Sequence, residues 1–171
     1  AGGPTHKTFG TSSIMIGDST TGTIDAANYN TGVGVNVFED LTSGDNNSAL
    51  GFNALTNITT GSDNTAIGRT TLVSTTTGSN NTAVGSVALN VNTGSNNTAV
   101  GKSAMAANVS AEENVAIGAT ALDSLSGSNG GHTAVGYGAI GALTSGAVNT
   151  AVGQLAMSNT TTGGYNVVVG R

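Results

Sequence analysis

Small and aliphatic residues recur along this chain with a period of about 17 residues. A glycine preceded by an aliphatic residue returns ten times, and we call these residues the anchor glycines: Gly17, Gly34, Gly51, Gly68, Gly85, Gly101, Gly118, Gly136, Gly153 and Gly170. The steps between them are 17, 17, 17, 17, 16, 17, 18, 17 and 17 residues. A fixed period of this kind is the signature of a solenoid, in which each repeat packs mainly against its neighbours.

Three other positions of the repeat carry a regular residue type. The residue directly before the anchor glycine is aliphatic throughout, and its central members are Val84, Val100, Ile117 and Val135. The residue four positions after the anchor is usually large and apolar, as at Leu89, Met105 and Leu122. The residue four positions before it is usually asparagine, as at Asn64, Asn81, Asn97 and Asn114.

This pattern predicts one coil of a parallel β-solenoid for each repeat. A helical repeat needs more than about 30 residues, whereas Thr-Ala-Val-Gly fits a short strand and the following Ala-Leu pair fits a second one. We expect the aliphatic and Leu-type columns to face the interior, the alanines and glycines to face outward, and the asparagines to pair as a ladder. The predicted fold is all-β: an N-terminal segment over residues 1–12, then about ten coils over 13–171.

Composition narrows the range of functions. Only 8% of the residues are charged, and the net charge is −5, which argues against nucleic acid or an anionic membrane as a partner. The chain has no cysteine, so disulfides and thiolate metal sites are excluded. No apolar run approaches the ~18 residues of a membrane span, so we expect no membrane insertion.

The repeat resembles two related families of fibrous proteins. Asn114-Val115-Ala116-Ile117-Gly118 is similar to the Ser-Val-Ala-Ile-Gly head repeat of trimeric autotransporter adhesins. The longer form TGSNNTAVGSVAL resembles repeats of bacteriophage tail-fibre and receptor-binding proteins. The resemblance covers residues ~13 to 171 and implies a left-handed β-roll that assembles as a homotrimer. It also implies a place in the virion or at the cell surface.

The sequence contains several weak signals for chemistry, and none predicts a catalytic, cofactor or metal site. GYGAIG at 136–141 matches a dinucleotide-binding motif, but its first glycine is an anchor of the repeat. His132 replaces a ladder asparagine and lacks a nearby acid, so we interpret it as a tolerated exception rather than a ligand. Asp45 and Asp63 lie in turns that otherwise carry asparagine, which lacks the charge that a strong calcium site needs.

Three functions remain open from the sequence. The first, which we favour, is a non-enzymatic fibre segment that supports attachment to a host surface, with a receptor or glycan bound through adjoining domains. The second is an adhesin head that itself binds the host or matrix, with Tyr137 and Phe52 as candidate contacts because both follow an anchor glycine. The third is an ice-binding solenoid, which would use the threonine column three positions before the anchor.

Overall fold

The computed structural model describes residues 5–17 and 26–171, which form eleven short strands and no helix. Residues 1–4 of the predicted N-terminal segment lie outside the described residues. The strands are β1 (Thr5–Phe9), β2 (Ser13–Gly17), β3 (Thr31–Gly34), β4 (Ser48–Leu50), β5 (Thr65–Ile67), β6 (Thr82–Val84), β7 (Thr98–Val100), β8 (Val115–Ile117), β9 (Thr133–Val135), β10 (Thr150–Val152) and β11 (Val167–Val169).

All eleven strands belong to one sheet, in which they follow each other in sequence order. β1 pairs with β2 in the antiparallel sense, and every later pair is parallel. Equivalent positions of the repeat face each other, so that Thr82 pairs with Thr98 and Val84 with Val100. The predicted β-solenoid with a period of about 17 residues is therefore confirmed. At ~4.8 Å for each of its nine parallel steps, the stack is ~43 Å long.

The direction of the strand side chains reverses the sequence-based prediction. In β4 to β10 the central alanine is buried, whereas the residue before it, usually threonine, and the aliphatic residue after it face outward. The prediction that Val84, Val100, Ile117 and Val135 form an inner column was wrong. Val100 and Ile117 are 36% and 42% exposed, and Val84 and Val135 are half-buried. The predicted outward alanine column is likewise wrong, because Ala83 and Ala99 are fully buried.

The interior is narrow, and the third strand shows how tightly it is filled. In β3 a glycine, Gly32, occupies the place of the inward alanine. A Cβ added there would lie 2.7 Å from Cγ1 of Val37 and 2.9 Å from Cε2 of Phe38. In this coil the residues opposite the strand are Val and Phe instead of the usual Ala and Leu, so the larger pair takes up the volume that the missing methyl leaves.

The large apolar column lies inside, as predicted, but not in a second strand. Leu89, Met105 and Leu122 are fully buried. Their φ angles are 48°, 52° and 53°, in the left-handed region that ordinary residues avoid at a cost of ~1–3 kcal/mol each. Each follows a tight turn in which the preceding alanine donates to the anchor carbonyl, as Ala88 does to Gly85 at 3.3 Å. A second strand was therefore the wrong prediction for this part of the coil.

A third inner column was not predicted from the sequence. It lies seven positions after the anchor and contains Leu41, Ile58, Thr75, Asn92, Asn108, Leu125 and Leu143, all buried. Its polar members satisfy one another or the backbone: the Thr75 hydroxyl donates to the carbonyl of Asn92 at 2.7 Å, and Nδ2 of Asn108 donates to Oδ1 of Asn92 at 2.9 Å. The mixture of leucine, threonine and asparagine hides this column from hydropathy patterns.

Candidate functional site

The outward side of the strands carries a continuous band of apolar side chains along the stack. We call this band the aliphatic stripe; it consists of Ile16, Val33, Leu50, Ile67, Val84, Val100, Ile117, Val135, Val152 and Val169. Neighbouring members are directly paired in the sheet, so the stripe has no gap between coils. Contiguous exposed aliphatic patches are rare on monomeric proteins and are typical of interaction surfaces.

A column of mostly threonine runs beside the aliphatic stripe, two residues earlier on each strand. Its members are Thr31, Ser48, Thr65, Thr82, Thr98, Val115, Thr133, Thr150 and Val167, which are exposed or half-buried. No charged side chain occurs in either column. The two columns together give an outward face that is regular and uncharged.

Charged residues of opposite sign lie at the two margins of this face. Directly after the anchor glycine, at one margin, the column includes the exposed bases Arg69 and Lys102. Two residues before the strand, at the other margin, the column includes the exposed acids Asp63 and Glu113. We call these pairs the basic margin and the acidic margin. None of the four makes an ion pair within the described part of the chain, although Asp63 accepts a hydrogen bond from Nδ2 of Asn46 at 3.1 Å.

The predicted asparagine ladder is present and buried at the corner before each strand. Asn64, Asn81, Asn97 and Asn114 are fully buried. Nδ2 of Asn81 donates to Oδ1 of Asn64 at 3.1 Å, and Nδ2 of Asn114 donates to Oδ1 of Asn97 at 3.0 Å. Between them, Oδ1 of Asn81 accepts from the backbone N–H of Asn97 at 3.0 Å. The ladder joins successive coils and supplies partners for backbone groups that the narrow interior would otherwise leave unpaired.

His132 takes the place of an asparagine in this ladder and reproduces its bonds. The backbone N–H of Asn149 donates to its Nδ1 at 3.2 Å, and its Nε2 contacts the carbonyl of Gly146 at 3.2 Å. Nδ1 therefore accepts and Nε2 donates, which is the pattern of a neutral ring. Burial lowers the pKa of His132, and the hydrogen bond to Gly146 acts more weakly in the opposite direction. The ring is a structural substitute for asparagine, as the sequence indicated.

The two aromatic residues predicted as surface contacts are exposed but far apart. Phe52 is 48% exposed and Tyr137 is 55% exposed, and both lie in the column directly after the anchor. Their anchors are five coils apart, which corresponds to ~24 Å at the rise of a parallel stack. The structure does not bring them together in one binding patch.

The other residues that the sequence offered as candidates for binding sites make structural contacts between coils. Gly136 of GYGAIG is an anchor whose added Cβ would meet the backbone of the next coil. Oδ1 of Asp45 accepts from the backbone N–H of Asn28 at 2.7 Å, in a contact between coils. Within residues 5–17 and 26–171 there is no group of three or more His, Asp or Glu side chains placed to hold a metal ion. The same ranges contain no helix that is long and apolar enough to cross a membrane.

Comparison with known proteins adds no further constraint on the function of this face. The sequence matches no family model, no curated protein and no solved structure. The aliphatic stripe, the threonine column and the charged margins are thus the features from which a function has to be argued.

Proposed function

We propose that the chain is a segment of a trimeric extracellular fibre, such as a phage tail fibre, which supports attachment to a host surface. The observation that carries this proposal is the aliphatic stripe. The column directly after the anchor, by contrast, varies freely: it reads Val, Phe, Arg, Ser, Lys, Ala, Tyr, Gln and Arg from the second coil on. The stripe stays aliphatic in all ten coils although it faces outward, and a covering partner explains that constancy.

The energy available from covering the stripe is large on the scale of protein association. Seven of its members, from Ile16 to Val152, are between 36% and 50% exposed. Full burial of an aliphatic side chain contributes ~1.5–3 kcal/mol, so covering the exposed fraction contributes ~1 kcal/mol per residue and ~7 kcal/mol per chain. Further copies of the same rod match this surface best, because they present the same apolar face with the same spacing between coils. The attachment role itself rests on the resemblance to tail-fibre and adhesin repeats.

The solution mass of the chain, measured by light scattering after size exclusion, tests the assembly. We expect three times the chain mass of 16.5 kDa. Val100→Asp, which introduces a charge into the stripe, should reduce the trimer to monomer. The matched control is Val109→Asp, because Val109 is 44% exposed but lies outside the strands. A monomeric wild-type chain, or equal behaviour of the two variants, would refute the proposal.

One observation favours a second candidate, an ice-binding surface. The threonine column faces outward beside the aliphatic stripe, so a monomer would expose a flat and regular face of threonine and valine. The fibre segment and the ice-binding surface would use the same face, so a face covered by other copies could not bind ice. Thermal hysteresis in a monomeric wild-type chain would support ice binding, and its absence there would remove this candidate.

A further inference from the structure

The aliphatic stripe alone does not determine how two copies would be oriented. Every coil presents nearly the same threonine and aliphatic residues, so copies that run in the same direction and copies that run in opposite directions bury similar apolar surface. A fibre needs one of these arrangements. The residues that distinguish them must therefore lie beside the stripe, where the coils differ.

We propose that the basic margin of one copy, Arg69 and Lys102, pairs with the acidic margin of the next copy, Asp63 and Glu113, and so selects a parallel assembly in register. This inference rests on the proposed self-association and adds the residues that set its direction. The four side chains are exposed; the two acids precede the strands that form the face, and the two bases follow them. The chain has four bases: Arg69 and Lys102 lie in this column, Arg171 follows the last anchor glycine in the same column, and Lys7 lies in β1.

The symmetry of the face explains why the charges discriminate. When copies are related by rotation about an axis along the rod, the margin that follows the strand in one copy faces the margin that precedes the strand in the next. Basic residues then face acidic ones. When the copies run in opposite directions, each margin faces its own equivalent, so basic residues face basic ones and acidic residues face acidic ones. Only the parallel arrangement is electrostatically favourable.

The heights of the charges along the rod also agree with a parallel register. Asp63 and Arg69 flank the same strand, β5, so they lie in one coil and meet at equal height when copies are level. Glu113 precedes β8 and Lys102 follows β7, so this pair differs by no more than one coil, ~4.8 Å, which a lysine side chain spans. A shift by several coils would separate both pairs.

A double-mutant cycle on the trimer tests the pairing. One variant carries Arg69→Ser with Lys102→Ser, which introduces the residue that Ser86 supplies in the same column. The other carries Asp63→Asn with Glu113→Asn, which introduces the residue found in that column in neighbouring coils. Exposed ion pairs change an equilibrium by a factor of ~1.5–5 each, and a cyclic trimer contains each pair three times. We expect each double variant to weaken trimer association by about tenfold or more, and the quadruple variant to be no weaker than either.

Glu39→Gln with Asp40→Asn is the matched control, because it removes two acids that lie beyond the buried Phe38 rather than at the face. It should leave association within about twofold of wild type. If the losses of association in the two double variants add up in the quadruple variant, or are no larger than in the control, the proposed pairing is wrong, although the proposed trimer is not. A monomeric wild-type chain would instead overturn the proposed self-association.

Spin labels report the direction of the copies independently. The chain has no cysteine, so the exposed Thr60 and Ser145 can each be replaced by a single labelled cysteine. Parallel copies place each label at the same height as its equivalents, so both variants should give similar intermolecular distances, and a mixture should give a longer cross-distance. A cross-distance shorter than both would show antiparallel copies and would overturn the inference.

Discussion

Replacing one buried ladder asparagine tests how the coils are held together. Nδ2 of Asn81 donates to Oδ1 of Asn64 and to the carbonyl of Gly94, and its Oδ1 accepts from the backbone N–H of Asn97. In Asn81→Ala, Oδ1 of Asn64 keeps the N–H of residue 81, and the Gly94 carbonyl keeps Nδ2 of Asn92. The N–H of Asn97 loses the one hydrogen bond that it donates in the structure.

These contacts give the size of the expected effect. Two hydrogen bonds with otherwise satisfied acceptors contribute ~0.5–1.5 kcal/mol each, and an unpaired buried N–H costs ~1–3 kcal/mol. Asn81→Ala should therefore lower the free energy of unfolding by about 2–6 kcal/mol, a large part of the ~5–15 kcal/mol of a typical domain. Urea denaturation at one fixed protein concentration measures it, because association makes stability depend on concentration.

The adjacent Asn80 supplies the matched control. It is exposed, has a φ of 59°, and donates from Nδ2 to Oδ1 of Asn96 at 3.2 Å on the outside of the coil. Asn80→Gly keeps that backbone conformation and should change stability by less than about 1 kcal/mol. If Asn81→Ala is as mild as Asn80→Gly, the buried ladder does not hold the coils together and the reasoning fails.

Three further predictions concern single positions. Ala99→Val overfills the narrow interior and should cost about 1–3 kcal/mol in urea denaturation, whereas no loss would mean that Ala99 faces outward. Gly85→Ala would place a Cβ 2.5 Å from the carbonyl oxygen of Gly101 at a φ of 132°, and should lower the free energy of unfolding by about 3 kcal/mol or more. Its control is Gly127→Ala, where no atom lies nearer than 3.3 Å to the added Cβ and the loss should be less than about 1 kcal/mol. Folding lowers the pKa of His132, so the unfolded chain binds more protons and the urea midpoint should fall as the pH drops below ~6.5. His132→Asn should lose this part of the pH dependence. A variant with the same pH profile as wild type would contradict the prediction.

The sequence predicts those features that depend on repetition alone. The 17-residue period determines that equivalent residues stack, so the parallel sheet, its register and the asparagine ladder follow from it. The buried column of Leu89 and Met105 was also predictable, because large apolar residues occur there in nearly every coil. Neither conclusion requires knowledge of the backbone path within the coil.

The direction of the strand side chains was not predictable from alternation. A three-residue strand such as Thr98-Ala99-Val100 can bury either its ends or its centre, and hydropathy favours burying the valine. The corner asparagine decides the outcome. Asn97 has to point inward for its amide to reach Asn92 and the backbone of Ala111, and alternation then directs Ala99 inward and Val100 outward.

The backbone conformation between the strands could not be predicted from the sequence for a different reason. A positive φ is expected at glycine or asparagine, yet Leu89 and Ile140 adopt φ values of 48° and 53°. Local propensity assigns such residues to a strand or a helix. Here the burial of each side chain and the hydrogen bonds between coils, such as Leu89 N–H to the Ala104 carbonyl at 3.0 Å, outweigh the local strain. That balance arises only when several coils stack.

The two coils of irregular length show which part of the repeat cannot vary. The step from Gly85 to Gly101 is one residue short, and the step from Gly118 to Gly136 is one residue long. In the short coil, the side chain of Asn92 makes two hydrogen bonds to Gly94 in the following turn: its Nδ2 donates to the Gly94 carbonyl, and its Oδ1 accepts from the Gly94 N–H.

In the long coil, the extra residue lies between Leu125 and His132, whereas Gly131 keeps the positive φ of its position in the repeat, 77° against 60° at Glu113. The strands on either side stay in register in both cases, with Val84 opposite Val100 and Ile117 opposite Val135. An interior of stacked alanines tolerates few other arrangements, but it does not require an aliphatic residue on the outside. The stripe therefore stays continuous across both irregular coils, as does the threonine column beside it, which the proposed packing of a second copy against this face requires.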